Sequence, residues 1–212
     1  MDKPVMIIGA SGLGKAVLDI FTQNDVVVYG FLDDKKERHG ETIGEISVLG
    51  SPDEATYFDL LGQKCDVFVA SDDTKLKKGL IQKLRRERKV MPVNAIHPNA
   101  GIASTAIIHH GNLIAAQVNI GANAEVGNHC LLHTACTIEY GASIGDFSQI
   151  GAGTIIGAEA KIGKEVFIGS GAVVVGNVEI EDGASIGAGS VVIGKVEKGK
   201  TVFGNPATEI KR

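Results

Sequence analysis

The chain has no tryptophan, 5% aromatic residues, five prolines and three cysteines in 212 residues. So few rings exclude a broad aromatic core and leave a narrow stack of aliphatic side chains. Between residues 102 and 193 there is no proline at all, so every backbone N–H in that stretch is available to a hydrogen-bonded ladder. No apolar run reaches membrane length, and Met1-Asp2-Lys3-Pro4 does not open a signal peptide. The expectation is a soluble, cytoplasmic protein. Cys65, Cys130 and Cys136 show neither CxxC nor metal-ligand spacing. The net charge of −4 lacks the basic excess that nucleic acid or an anionic membrane would attract.

Glycine is plentiful instead. There are 28, against a usual share of about 7%, and 19 of them lie beyond residue 96. From Ile102 to Val192 every sixth residue is Ile, Val or Leu, over sixteen consecutive positions. A helix has a period of 3.6 and a half-buried strand a period of 2, so neither requires this pattern. A coiled solenoid does, because each flat side uses one hexad and stacks its anchor on the side below. Four residues after an anchor the chain carries small residues such as Ala106, Ala124, Ala142 and Ala160. Cys130 and Cys136 fall in that phase and read as buried filler. Glycine often follows the anchor, as at Gly145, Gly151 and Gly169, where a turn with positive φ is expected. The period does not by itself give the number of sides.

Residues 1–96 show no hexad. Pro4-Val5-Met6-Ile7-Ile8 reads as a strand, followed by Gly9-Ala10-Ser11-Gly12-Leu13-Gly14-Lys15 and a helix carrying Val17, Leu18, Ile20 and Phe21. A second strand at residues 26–32 ends in Asp33-Asp34. A third follows at residues 67–70, then a helix at about residues 73–88. This alternation predicts a small parallel α/β sheet, a Rossmann-like domain over 1–96, with the coil over 97–212.

A glycine loop between strand and helix lets the backbone approach a ligand and aims helix N–H groups at a phosphate. Its spacing departs from G-x-G-x-x-G. A P-loop reading fails because Ala16 stands where Mg²⁺ needs Ser or Thr. A phosphate-bearing ligand and a purely structural turn both remain open. Asp33 and Asp34 sit where a ribose-contacting acid belongs in such sheets, or serve as turn formers. The run Lys75, Lys77, Lys78, Lys83, Arg85, Arg86, Arg88 and Lys89 interleaves with Leu76, Leu80, Ile81 and Leu84, and reads as the solvated face of an amphipathic helix.

The glycine loop, Gly30-Phe31-Leu32-Asp33-Asp34, His97-Pro98, the hexads and the closing Gly204-Asn205-Pro206-Ala207 together resemble bacterial sugar acetyltransferases. These are of the sialic-acid O-acetyltransferase and UDP-amino-sugar N-acetyltransferase type. The resemblance spans almost the whole chain. It implies a left-handed parallel β-helix, a homotrimer with active sites between subunits, and acetyl-CoA in the groove between neighbouring coils. It also implies a nucleotide or sugar acceptor on the N-terminal domain, at Gly9, Ser11, Gly12, Leu13, Gly14, Asp33, Asp34 and Ser71. Cofactor contacts are implied at Gln149, Gly169, Gly187, Ala188, Gly204 and Pro206, the one at Ala188 through its backbone N–H.

In the family a histidine takes the proton of the attacking amine or hydroxyl, and a neighbouring carboxylate orients it. Here the base position holds Tyr140, the acid position Gly141 and the second histidine position Gln149, while Leu13 replaces a histidine in the glycine loop. A phenol has a reference pKa near 10 and is a poor base at neutral pH. Tyr140 is therefore expected to donate a hydrogen bond or shape the acceptor pocket, with His133 as a candidate base. The alternative is a non-catalytic trimer binding a sugar nucleotide or CoA as a scaffold or regulator. A nucleotide-sugar oxidoreductase is disfavoured, since the N-terminal sheet is too small for a full dinucleotide fold. No metal is expected. If eighteen residues make a coil, His109, His110 and His129 share one edge, but turn histidines account for them.

Overall fold

The computed structural model describes residues 3–210; Met1 and Asp2 of the opening stretch lie outside the described residues. The chain divides into two compact units, Met1–Pro98 and Asn99–Arg212.

In the first unit, strands β1 (Val5–Ile8), β2 (Val28–Leu32), β3 (Thr42–Ile43), β4 (Ile46–Gly50) and β5 (Asp66–Val69) form one sheet. Its order is β3-β4-β2-β1-β5. β1 pairs in parallel with β2 and β5, as an all-apolar run should when both faces are covered. The sheet is mixed, however: β3 and β4 form an antiparallel hairpin that the sequence reading had not separated from the loop after β2. β3 has two residues and β4 reads Ile-Ser-Val-Leu-Gly, too short a signal to stand out.

Helix α1 (Gly12–Gln23) buries Gly14, Val17, Ile20 and Phe21 against the sheet, at helical spacing. Phe21 meets Phe68 edge-on at 6.1 Å between ring centroids. Helix α2 (Ala55–Phe58) is a single turn. Helix α3 (Thr74–Lys83) runs into a π-turn at Leu84–Arg88. Most of its basic residues are solvated, but Lys77 is buried and Leu76 is exposed, the reverse of the expected face.

In the second unit, each rung is two residues long, and from Gly101–Ile102 to Val173–Val174 each pairs in parallel with the rung eighteen residues on, for example Asn119–Ile120 with Thr137–Ile138. Eighteen residues are three hexads, so the coil is a three-sided prism. It is left-handed. The first side runs from Gly101–Ile102 to Val191–Val192 and the second from Ile107–Ile108 to Glu179–Ile180. The third runs from Leu113–Ile114 to Ser185–Ile186 and continues in the strand Thr201–Gly204. Anchors from Ile114 to Val192 are almost wholly buried, and Cys130 and Cys136 fill the interior as small residues.

The corner geometry corrects the expectation for glycine. Positive φ falls three residues after the anchor, not one. All fourteen corners from Gly111 to Gly189 show it, at 58–71°, and eight of them are not glycine, among them His129, Ala135, Phe147 and Glu159. Glycine just after the anchor serves another purpose. A Cβ on Gly145 would lie 2.6 Å from the carbonyl carbon and oxygen of Gly163 and 2.7 Å from the Lys164 nitrogen. These glycines let one coil rest directly on the next.

The tail Thr201–Gly204 turns through a cis Asn205–Pro206 bond into Ala207–Glu209, an antiparallel hairpin. Its Phe203 ring lies over Gly187, in the space a Cβ there would occupy. Among the described residues, no helix is long and apolar enough to cross a membrane.

Candidate functional site

In the first unit a cleft of about 400 Å³ opens where β1, β2 and β5 end. Loops at the carboxyl ends of parallel strands, where the strand order reverses, form ligand crevices in such sheets. Gly9, Ser11, Asp33, Asp34 and Ser71 line it, as expected; Gly12, Leu13 and Gly14 are not among its lining residues. Gly14 has a packing role. A Cβ there would run into the Gly9 carbonyl and, at 3.3 Å, the Phe31 ring. Ser11 makes no side-chain cap to α1, whose first bonded N–H is that of Lys15 to the Ser11 carbonyl at 3.1 Å. The N–H groups ahead of it belong to the positive end of the helix dipole.

Asp33 is 6% exposed. Its Oδ2 accepts from the Ala10 N–H at 2.8 Å and its Oδ1 from the Lys35 N–H at 3.0 Å. The carboxylate thus holds the glycine loop in shape, while the neighbouring Asp34 is exposed to the cleft. Two cationic side chains that the sequence reading overlooked also line the cleft: Lys35, and Arg38, which donates to the Ala10 carbonyl at 2.6 Å and sits 3.9 Å from Asp33. Leu76 and Leu80 add an apolar wall. Their helical spacing had suggested core, and spacing alone does not distinguish a face turned to a cleft from one turned to the sheet.

On the prism, Tyr140 stands on the edge between the first and second sides and is 57% exposed. The positions one coil above and below it, Ala158 and Ala122, are small, so its ring projects alone. His133 is half-buried on the edge between the third and first sides, at the other end of the rung Thr137–Ile138. Within one chain the two do not share a site. Gln149 lies half-buried on the third side, between Leu131 and Phe167 of the adjoining rungs. Gly169 and Gly187 stack on the third-to-first edge, where a Gly169 Cβ would meet the Ala188 nitrogen at 2.5 Å. Gly204 and Pro206 belong to the tail hairpin, and the Gly204 N–H donates to Ser190 Oγ at 3.1 Å.

The backbone N–H two residues after each anchor points out of the corner. Along the second-to-third edge, side chains of the next coil cap it: Asp146 Oδ1 accepts from Asn128 at 2.8 Å and Asp182 Oδ1 from Lys164 at 2.7 Å. Burial works to raise the Asp146 pKa, but the Asn128 N–H and amide and the Lys164 ammonium outweigh it and the net shift is downward. Along the third-to-first edge the equivalent positions are Ala116, Thr134, Ala152, Ser170 and Ala188, with no acid to cap them. Among the described residues the Ala188 N–H has no acceptor.

His109 pairs with Glu125 at 3.0 Å, and His129 stacks on Phe147 with ring centroids 4.9 Å apart. No group of three or more His, Cys, Asp or Glu able to hold a metal occurs among the described residues.

A left-handed prism of hexads with open corner amides, joined to a strand-end cleft, defines a hexapeptide-repeat acyltransferase. Residues 96–202 match the family of the GMPPB C-terminal domain and residues 4–84 that of the PglD N-terminal domain. The chain belongs to the GMPPB C-terminal domain family through its coil and, taken as a whole, to the bacterial hexapeptide-repeat sugar acetyltransferases.

The GDP-perosamine N-acetyltransferase of Caulobacter crescentus, as a histidine variant in complex with CoA and GDP-perosamine, is 26% identical with a TM-score of 0.91. That match covers 100% of this chain and 99% of the other. The acetyltransferase domain of PglB from Neisseria gonorrhoeae, with acetyl coenzyme A, is also 26% identical, with a TM-score of 0.90 over 99% of this chain and 100% of that one. WeeI from Acinetobacter baumannii, at 22% identity and a TM-score of 0.64 over 99% and 100%, shares the fold. No curated protein sequence matches the chain.

Proposed function

We propose that this protein transfers an acetyl group from acetyl-CoA to an amino group of a nucleotide-linked sugar, working in the cytoplasm as a homotrimer. The observation that carries the reading is the end-to-end likeness, over both units, to an N-acetyltransferase in complex with CoA and GDP-perosamine. The cleft at the strand ends supports it. Lys35, Arg38 and the open end of α1 suit a diphosphate, Leu76 and Leu80 suit the face of a base, and Asp34 suits a sugar hydroxyl. The uncapped amides of the third-to-first edge, Ala188 above all, suit the pantetheine arm, with Gln149 on the adjoining side.

Where these groups lie supports assembly of more than one copy, as the proposed trimer provides. Tyr140 occupies one edge, and Gln149 and Ala188 lie on other sides of the same prism, so one thioester reaches both sets only between two copies. The same geometry makes His133 a candidate base for the Tyr140 edge of a neighbouring copy.

The test is release of CoA from acetyl-CoA in the presence of a panel of nucleotide-linked amino sugars, followed with a thiol reagent. Turnover with at least one of them is expected. Absence of turnover together with absence of CoA binding by calorimetry defeats the proposal. A second reading, a scaffold that binds CoA or a sugar nucleotide without turning it over, is motivated by Tyr140, Gly141 and Gln149 at the family's catalytic positions. Binding without CoA release selects it.

A further inference from the structure

Acyl transfer to an amine requires a group that takes the nitrogen's proton as the new bond forms. On the Tyr140 edge of this chain the histidine is absent and Gly141 leaves the adjoining corner without a side chain. The corner is exposed, and one side chain reaches over it. The next coil carries Glu159 directly above Gly141, and its Cγ lies 3.2 Å from where a Cβ on Gly141 would be. The Glu159 N–H donates to the Tyr140 carbonyl at 3.0 Å, which fixes the two residues against each other through the backbone. Both corners hold positive φ, 65° at Gly141 and 58° at Glu159. For Glu159 that conformation is costly, of order 1–2 kcal/mol relative to an ordinary backbone position. Its side chain thus leans over the one corner on this edge where the coil below has room for it beside a projecting ring.

We propose that Glu159 is the proton acceptor of the reaction, with Tyr140 as its hydrogen-bonding companion on the same edge. This rests on the acetyltransferase reading above. The acceptor amine attacks the thioester carbon of acetyl-CoA, the N–C bond forms and the C–S bond breaks. The nitrogen's proton passes to the Glu159 carboxylate and from there to the departing thiolate, giving the amide and free CoA. The Tyr140 hydroxyl donates to the acceptor sugar and holds the amine in line with the carboxylate. The acid has in effect moved up one coil, from the corner position at 141 to that at 159.

The experiment compares steady-state kinetics of the purified protein with Glu159→Gln, Glu159→Gly, Glu139→Gln and His133→Ala, using acetyl-CoA and the best nucleotide-linked amino sugar. Glu159→Gln is expected to lower kcat by about 10²-fold or more, with KM for both substrates little changed and CoA affinity by calorimetry preserved. Glu159→Gly is expected to regain part of the lost rate on addition of formate, which a purely structural residue would not allow. Glu139, the other exposed carboxylate flanking Tyr140, is expected to tolerate the Gln change. Full activity in Glu159→Gln, or a loss confined to His133→Ala, overturns the assignment while leaving the acetyltransferase reading intact. An unsubstituted protein that releases no CoA overturns both.

Discussion

Replacing Gly145 with alanine tests the stacking principle of the coil directly. The added Cβ would lie 2.6 Å from the Gly163 carbonyl group, roughly 1 Å inside the ordinary carbon contact distance of about 3.5 Å. The obstacle is backbone, and it is tied on both sides: the Gly145 N–H donates to the Ile162 carbonyl at 2.8 Å and the Gly163 N–H to the Ile180 carbonyl at 2.7 Å. Two coils would have to separate, weakening several such bonds at once, so the cost belongs at the upper end of overpacking effects, about 3 kcal/mol. For a chain of this size that corresponds to a melting temperature lowered by about 6–12 °C.

Gly153 supplies the control. It is a corner residue with φ of 66° and nothing within 4 Å of its missing Cβ, so alanine there costs only the left-handed backbone penalty, about 1 kcal/mol. Thermal unfolding of the two variants side by side gives the comparison. If Gly145→Ala melts no lower than Gly153→Ala, the glycines after the anchors are not there to let coils touch, and the account of the repeat fails.

The other expectations concern single contacts. Ala135→Gly, at a corner with φ of 58°, relieves backbone strain and should raise stability by a few tenths to about 1 kcal/mol after the flexibility of glycine is counted; a lower denaturation midpoint contradicts it. Asp33→Ala strands the buried Ala10 N–H and should cost about 1–3 kcal/mol and weaken nucleotide-sugar binding; unchanged affinity by calorimetry would detach Asp33 from the cleft. The depressed pKa of Asp146 means its charged form stabilises the fold above the unfolded value of about 3.9. That contribution disappears as pH falls through the lower folded value, and Asp146→Asn should flatten the acid limb of a stability–pH curve. Burial pushes the Cys136 thiol up to about 12, so a thiol reagent at pH 8 should leave it unmodified until the coil is unfolded.

The six-residue spacing alone specified a coil, because neither a helix nor a single strand buries every sixth residue so many times in succession. It also assigned Cys130 and Cys136 to the interior by phase, and it located the glycine loop and the acidic strand end that border the cleft. Side number, however, is a property of closure: only the pairing of Asn119 with Thr137 and of its counterparts shows that three hexads complete a turn. Which glycines bend the chain and which make room was likewise hidden, since the sequence shows a missing Cβ but not the direction it would have pointed. Asp33 could be read as a ribose-contacting acid or as a turn former, and only the fold shows its oxygens on the Ala10 and Lys35 N–H groups at the cleft wall. Arg38, Leu76 and Glu159 carried no local signal, because each gains its neighbours from a segment distant in the chain. Short-range periodicity is written along the sequence, whereas the company a side chain keeps across coils and strand ends exists only once the backbone has closed on itself.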